Sequence, residues 1–91
     1  MAERVVYKFP VEASRGFGPV HMQDGAEIVH VDHQPFGVFV WAVCDPDAPL
    51  VTRLLGIFGT GFKVPADGVY IGTAKQGDGA FMWHVFESEA S

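Results

Sequence analysis

Histidine side chains are the residues of this sequence best suited to binding a metal ion, and there are four of them, at 21, 30, 33 and 84. Asp32 lies between His30 and His33. On a strand, His30 and Asp32 would share one face while His33 points away, because side chains alternate along a strand. Zinc prefers about four ligands in a tetrahedral array, so His21 or His84 would have to complete a site. No recognised ligand spacing is present, and we expect no metal and no cofactor.

A glycine-rich run, Gly56-Ile57-Phe58-Gly59-Thr60-Gly61, is the segment that could bind an anion. Phosphate-binding loops use glycines to bring backbone N–H groups close to the phosphate at the start of a helix, often with a lysine nearby. Thr60 and Lys63 would suit this chemistry, but no helix is predicted to follow, and the spacing matches neither the Walker nor the dinucleotide pattern. The sequence therefore predicts a strand end that bends or bulges before Phe62.

Nucleophilic or acid–base catalysis finds little support in the sequence. Cys44 lies in the most apolar run of the chain, which predicts a buried thiol, and no local signature pairs it with a histidine. Asp45 and Asp47 could act as paired carboxylates or bind a hard cation, but they flank a proline and are typical turn residues. We expect a protein that is not an enzyme and has no catalytic residue.

Aromatic side chains carry the strongest functional signal. The 91 residues include two Trp, two Tyr and eight Phe, and so small a domain has little interior in which to bury them. Trp and Tyr are enriched at the centres of protein interfaces, although the alternative is that each ring fills the core of this domain. We predict a binding surface among the rings and the polar residues near them. Its candidate residues are Trp41, Trp83, Tyr70, Phe62, Thr60, Lys63 and His84.

Short β-strands must position these residues. The run from Phe36 to Cys44 is uncharged and rich in β-branched and aromatic types, so we predict a central strand buried on both faces. No window of twelve residues shows a helical stripe free of Gly and Pro. The pattern predicts an all-β fold, a small antiparallel sandwich or barrel of six or seven strands. The predicted strands cover residues 4–11, 20–22, 26–33, 36–44, 50–58, 69–74 and 80–87.

Local signals predict how some of these strands are joined. Asp24-Gly25 lies between two apolar segments, which predicts a hairpin of residues 20–22 and 26–33. One face of the central strand is expected to be covered by residues 4–11 and 80–87, whereas the cover of its second face is left open. Residues 88–91 are expected to fray.

Length and charge limit the possible partners. Ninety-one residues predict one domain, residues 1–91. The net charge of −5 and only six dispersed basic residues argue against a nucleic-acid partner, which needs a clustered basic face. The central run is too short to cross a bilayer, and no secretory signal is visible at the N-terminus, so we expect no membrane partner. A single cysteine allows no internal disulfide and favours a cytoplasmic protein.

Seven short motifs, spread over nearly the whole chain, resemble a known family by the order in which they occur. They are Tyr7 to Pro10, Gly25-Ala26, Trp41-Ala42, Asp45-Pro46, Gly59 to Gly61, Tyr70 to Thr73 and Trp83 to Glu87. This order resembles a family of short, uncharacterised proteins from bacteriophages and actinobacteria. The histidine usual in that family after Gly-Thr-Gly is Phe62 here. The resemblance implies a phage origin and, for a protein of this size, the binding of a host component in the host cytoplasm.

Three functional hypotheses follow. The first is a non-enzymatic phage-type protein that binds a host protein through an exposed aromatic or apolar sheet face, and that also self-associates, most simply as a dimer. The second is a small-ligand or nucleotide-sequestering module that uses residues 56–63 with His84 or Tyr70. The third is a virion or assembly component.

Overall fold

Seven antiparallel strands form the fold in the computed structural model, which describes residues 3–91. The all-β prediction is confirmed, and each predicted strand end lies within two residues of the observed one. Within the described range there is no helix that could span a membrane. Residues 1 and 2 of the predicted domain 1–91 lie outside the described residues. The strands are β1 Val5–Val11, β2 Gly18–Gln23, β3 Glu27–Gln34, β4 Gly37–Cys44, β5 Leu50–Gly59, β6 Gly68–Gln76 and β7 Phe81–Ser88.

The strands are arranged in two sheets packed as a sandwich. One sheet has three strands in the order β1-β4-β3, and the other has four in the order β2-β5-β7-β6. The central position predicted for residues 36–44 is confirmed, because β4 is hydrogen-bonded to a neighbour on each side. The expected cover by residues 4–11 is wrong: β1 pairs with β4 in the same sheet and lies beside it. Cover comes from the four-stranded sheet instead, which contains β7.

Alternation along β4 separates a core face from an outer face. Val38, Val40, Ala42 and Cys44 are buried, whereas the residues between them are half-buried. The prediction that β4 is buried on both faces is therefore wrong, because a sandwich of two layers covers only one face of each sheet. The buried thiol is confirmed, since Cys44 is 1% exposed. Burial raises its pKa above the ordinary value, since the thiolate would lose its hydration.

The Asp24-Gly25 turn forms, but it does not close a hairpin. Gly25 has φ +78°, and the Ala26 N–H donates to the Gln23 carbonyl at 3.0 Å. The strand before the turn pairs with β5 and the strand after it pairs with β4. The hairpin prediction is wrong because turn chemistry reverses the chain without deciding which neighbour takes the strand hydrogen bonds. Here the reversal carries the chain from one layer of the sandwich to the other.

All four edge strands carry a feature that disturbs further pairing. Pro10 interrupts β1 and Pro19 interrupts β2, and neither residue has an N–H group to donate. Bulges shift the register of β3 at residues 28–30 and of β6 at residues 70–72. Such features prevent another strand from adding to a sheet edge.

The C-terminal segment is hydrogen-bonded to the four-stranded sheet. Ser88 is 5% exposed. The Ser91 hydroxyl donates to Glu87 Oε2 at 2.7 Å and accepts from the Leu54 N–H at 2.9 Å. The Glu89 N–H donates to the Asp67 carbonyl at 3.1 Å. These bonds connect residues 88–91, for which the sequence predicts fraying, to β5, to β7 and to Asp67.

Candidate functional site

Three aromatic rings meet at one end of the four-stranded sheet, and we call Phe62, Phe81 and Trp83 the aromatic end. β5 stops at Gly59, which is paired with Trp83, and the following turn is closed by a bond from the Phe62 N–H to the Gly59 carbonyl. Phe81 and Trp83 are stacked, with ring centroids 5.9 Å apart and ring planes within 8°. Phe62 and Phe81 are 68% and 55% exposed. The rings thus form an ordered apolar surface that is open to solvent.

A groove of about 480 Å³ runs between these rings. A Cβ at Gly59 would lie 3.4 Å from Cζ3 of Trp83 and 3.7 Å from Cδ1 of Phe62, so both rings border the space above that glycine. Thr60 also lines the groove. Two further grooves adjoin Trp83, of about 440 and 420 Å³. Trp83 therefore borders all three grooves.

The Trp83 ring is held in place by a hydrogen bond. Its indole N–H donates to Gln76 Oε1 at 2.8 Å, across the β6–β7 ladder. One side of the ring packs against the core cluster. A half-buried ring with its polar group satisfied loses little conformational freedom on binding, which is the property of an interface anchor.

A chain of hydrogen bonds crosses the outer face of the same sheet. Thr60 Oγ1 is bonded to His84 Nε2 at 2.9 Å, and His84 Nδ1 is bonded to Thr73 Oγ1 at 3.0 Å. Thr73 Oγ1 is in turn bonded to the Tyr70 hydroxyl at 2.6 Å. The structure thus brings together three predicted residues, Thr60, His84 and Tyr70. The exposed Tyr70 hydroxyl and the Thr60 hydroxyl are the groups through which this chain could meet a ligand.

The residue that completes the chain, Thr73, was missed by sequence reasoning. Tyr70 and Thr73 are three residues apart, so on a regular strand they would face opposite sides. The bulge at residues 70–72 shifts the register by one residue and puts both on the outer face. Gly72, within the bulge, is the sequence signal that could have indicated it.

His84 is hydrogen-bonded on both sides of its ring. Both ring nitrogens are bonded to threonine hydroxyls, so His84 has no carboxylate or thiol partner. Among residues 3–91, no three His, Cys, Asp or Glu side chains come close enough together to hold a metal ion. His30 Nε2 lies 3.5 Å from Asp32 Oδ2 on an exposed face. His21 Nδ1 is hydrogen-bonded to the Thr52 hydroxyl at 3.1 Å.

Residues 56–59 of the glycine-rich run continue β5 as a regular strand, and residues 60 and 61 form the turn that follows. β5 keeps its register with β7 from Leu55 to Gly59, so no bulge forms there, and the expected bend before Phe62 is the turn that has Gly61 at φ +88°. Gly56 is required by packing, because a Cβ there would collide with the Gly16 carbonyl oxygen. The loop containing Gly16 lies on this strand, where the Ile57 N–H donates to the Ala13 carbonyl at 2.8 Å. Lys63 borders the groove of about 440 Å³.

Trp41 lies apart from the other predicted residues. It is on the outer face of the three-stranded sheet, with ring centroids 5.3 Å from His30 and 6.5 Å from Phe39. Lys8 Nζ lies 4.8 Å from the Phe39 ring centroid. The predicted set therefore divides between the two sheets. Those on or beside the four-stranded sheet are Trp83, Tyr70, Phe62, Thr60, Lys63 and His84.

Arg53 and Glu87 form an ion pair that the sequence did not predict. The side chains are 20% and 16% exposed, and Arg53 Nε lies 2.7 Å from Glu87 Oε2. The hydrogen bond from Arg53 lowers the pKa of Glu87, and the same bond raises the pKa of Arg53. The signal in the sequence was that Arg53 is the lone charge of an apolar strand.

Comparison with known proteins identifies a family. The sequence model of a domain of unknown function, DUF7352, matches residues 2–91. No curated protein and no solved structure matches the chain. The match runs through every strand of the sandwich, so both surfaces described above belong to that domain.

Proposed function

We propose a function for this chain, which belongs to the family described as domain of unknown function DUF7352. It is a non-enzymatic binding protein that docks a partner protein at the aromatic end. The observation that supports this is the Phe81–Trp83 stack, which faces Phe62 across an open groove. Rigid aromatic anchors that border a pocket are the residues on which binding energy concentrates in protein interfaces.

The shape of this end favours a side chain of a protein as the occupant. The groove is apolar, broad and open to solvent, and Phe62 and Phe81 are more than half exposed. A partner that inserts an apolar or aromatic side chain between these rings would remove their surface from water, which stabilises the complex. Partners that add a strand to a sheet edge are disfavoured, because Pro10, Pro19 and two bulges interrupt all four edges.

The proposed partner is a protein of the host cell. The resemblance of the motif order to proteins of bacteriophages and actinobacteria supports a host protein as the partner and the host cytoplasm as the place of binding. The sequence placed the binding surface on a sheet face, whereas the proposal now places it at the end of the four-stranded sheet. Trp41 is accordingly not part of it.

Capture from host lysate followed by a measurement with the purified partner tests the proposal. The wild-type protein is used as bait, and the captured protein is identified by mass spectrometry, purified and titrated calorimetrically. Replacing both Phe62 and Phe81 with alanine should weaken binding by about tenfold or more, as expected for hot-spot residues. The matched control is Leu50→Ala, which removes another exposed apolar side chain, 64% exposed, at the opposite end of β5. Equal affinity of the double variant and the control would contradict the proposal.

A second variant tests the groove without removing a ring. Gly59→Ala adds one methyl group at ordinary contact distance from Trp83 and Phe62, and it therefore narrows the groove. Weaker binding with an unchanged melting temperature is expected if a partner side chain enters there. Unchanged binding would mean that the groove is not occupied.

A small-ligand module is the second candidate, and the hydrogen-bonded chain from Thr60 to Tyr70 supports it. A ligand that binds only the folded state raises the melting temperature with concentration. A thermal-shift series with nucleotides tests this, with Thr60→Val as the variant that removes the hydroxyl beside the groove. If no nucleotide shifts the wild-type transition at millimolar concentration, this candidate is excluded for that class of ligand.

A further inference from the structure

The outward side of the three-stranded sheet is apolar along its middle strand, with one lysine on β1 and two carboxylates and a histidine on β3, and we call it the outer three-stranded face. The centre is supplied by β4, whose outward residues are half-buried. Val6, on β1, is 57% exposed. Nothing in residues 3–91 forms a further layer over this sheet. Its residues are Val6, Lys8 and Pro10 on β1, Phe39, Trp41 and Val43 on β4, and Glu27, His30 and Asp32 on β3.

The two flanks carry opposite charges in a defined register. Lys8 is the cation of the β1 flank and is paired with Trp41, which is paired with His30 on the other side. Glu27 and Asp32 are the anions of the β3 flank, and they lie in the rows on either side of that central row. By backbone position the lysine thus belongs to β1 and the carboxylates belong to β3, while the Lys8 side chain reaches across β4 toward Gln34 on β3.

We propose that the outer three-stranded face is an interface between two copies of this chain, related by a two-fold axis that runs along β4. Rotation about such an axis stacks the two sheets with their strands aligned, as in a sandwich, and exchanges the flanks. Lys8 of each copy then lies opposite His30 of the other copy, with the carboxylates of Glu27 and Asp32 in the two neighbouring rows, and this contact occurs twice. An axis across the strands would instead place Lys8 against Lys8.

The charge pattern is what selects a second copy as the occupant. A face with a cation on one flank and anions on the other is complementary to itself under this rotation. In the single chain, Lys8 Nζ donates to Gln34 Oε1 at 2.9 Å and lies above the Phe39 ring. In the dimer the ammonium group would exchange this neutral acceptor for a carboxylate, and charge-assisted hydrogen bonds are the stronger kind.

The solvent-exposed area of the chain is larger than that of a typical monomer of its mass, as expected if one face is covered in a dimer. The chain exposes 5819 Å², whereas a monomer of 9.9 kDa typically exposes about 5,200 Å². The chain is thin, with a shortest extent of 17 Å, because each sheet is covered on one side only. An interface of three strands is small, near the lower limit of about 1,200 Å² for specific complexes, so the dimer should dissociate on dilution.

This inference is independent of the proposed function. The aromatic end belongs to the four-stranded sheet, and a dimer through the opposite sheet leaves Phe62, Phe81 and Trp83 accessible. The variants that test one surface should therefore leave the other unchanged. A dimer would carry two copies of the partner-binding end.

Sedimentation velocity over a wide concentration range, combined with charge exchange, tests the dimer. The wild-type protein is expected to pass from monomer to a species of twice 9.9 kDa as its concentration rises. Lys8→Glu alone, and Glu27→Lys with Asp32→Lys alone, should each weaken the dimer by about tenfold or more, since like charges then face one another. An equimolar mixture of the two variants should recover dimer formation, because opposite charges face one another again in the mixed pair.

Matched controls separate this face from general charge effects. Lys75→Glu changes an exposed lysine on the four-stranded sheet by the same two charges and should leave the dimer unchanged. Circular dichroism verifies that each variant is folded. A wild-type protein that stays monomeric up to about 1 mM would overturn the proposal, as would a dimer that persists in Lys8→Glu. Recovery of dimer in the mixture to no more than the level of either variant alone would overturn the assigned axis.

Discussion

Arg53 and Glu87 join β5 to β7 by two parallel hydrogen bonds, from Nε to Oε2 and from Nη2 to Oε1, both 2.7 Å long. The third donor, Nη1, binds the carbonyl of Ala26 at 2.6 Å, in the turn that leads into β3. One guanidinium group therefore connects two strands of one sheet to the segment that crosses to the other sheet. Ser91 donates to the same carboxylate, so the C-terminal segment is part of this network as well.

Removing the carboxylate of this pair should destabilise the fold. Glu87→Gln leaves the Arg53 guanidinium with an uncharged neighbour, and we expect a loss of about 2–3 kcal/mol, below the 3–5 kcal/mol typical of fully buried pairs. Chemical denaturation gives the free energies of unfolding. The control is Asp32→Asn, which breaks the exposed contact with His30 and should cost less than about 0.5 kcal/mol. Equal effects of the two substitutions would contradict the role given to Glu87.

Stability should depend on pH through Glu87. The bond from Arg53 lowers the pKa of Glu87 below its ordinary value of 4.5, so the folded state binds this proton less tightly than the unfolded state. The contribution of the ionised carboxylate is therefore complete above pH 4.5 and is lost as the pH falls through the lower, folded pKa. We expect the difference in unfolding free energy between the wild type and Glu87→Gln to be larger at pH 7 than at pH 3. A difference that does not change with pH would rule this out.

Thr73→Val should show what the hydrogen-bonded chain contributes. The substitution keeps the shape of the side chain and leaves His84 Nδ1 and the Tyr70 hydroxyl without their shared partner. We expect a loss of about 1–2 kcal/mol, because His84 is only partly accessible to water that could replace the bond. Thr52→Val is the matched control, since its hydroxyl contacts the exposed His21 and water can take its place. A loss in Thr73→Val no greater than in the control would mean that the chain adds nothing to stability.

Gly56→Ala should destabilise the fold far more than Gly59→Ala. At Gly56 the added Cβ would collide with the Gly16 carbonyl oxygen, which belongs to backbone and cannot turn away, and the loop over β5 would have to shift. We expect a loss of about 1–3 kcal/mol, the usual cost of overpacking. At Gly59 the added atom meets ordinary contact distances. Thermal unfolding of both variants gives the comparison, and similar melting temperatures would show that the loop is free to move.

Hydrogen exchange at the Leu54 amide should decide whether the C-terminal segment frays. This N–H donates to the Ser91 hydroxyl at 2.9 Å, so its protection reports whether the segment is docked. We expect measurable protection in the wild type and faster exchange in Ser91→Ala, because that substitution removes the hydroxyl to which this amide donates. Identical exchange in the two proteins would support fraying.

The sequence predicted which segments are strands because alternation and turn residues are local properties. The run from Phe36 to Cys44 was recognised as the central strand by its length and its uncharged β-branched and aromatic residues, and the polar groups Thr60, His84 and Tyr70 were chosen as candidates for their chemistry alone. These inferences need no knowledge of what lies opposite each strand.

The tertiary structure decided which strands pair and which side chains meet. The Asp24-Gly25 turn joins two sheets because β5 and β4, distant in sequence, take up the hydrogen bonds of the strands beside it. A bulge of one residue brought Thr73 onto the face of Tyr70 and His84. Trp41 was separated from Trp83 because β4 and β7 lie in different layers. Each of these outcomes depends on contacts between segments far apart in the chain, which side-chain alternation within one segment does not encode.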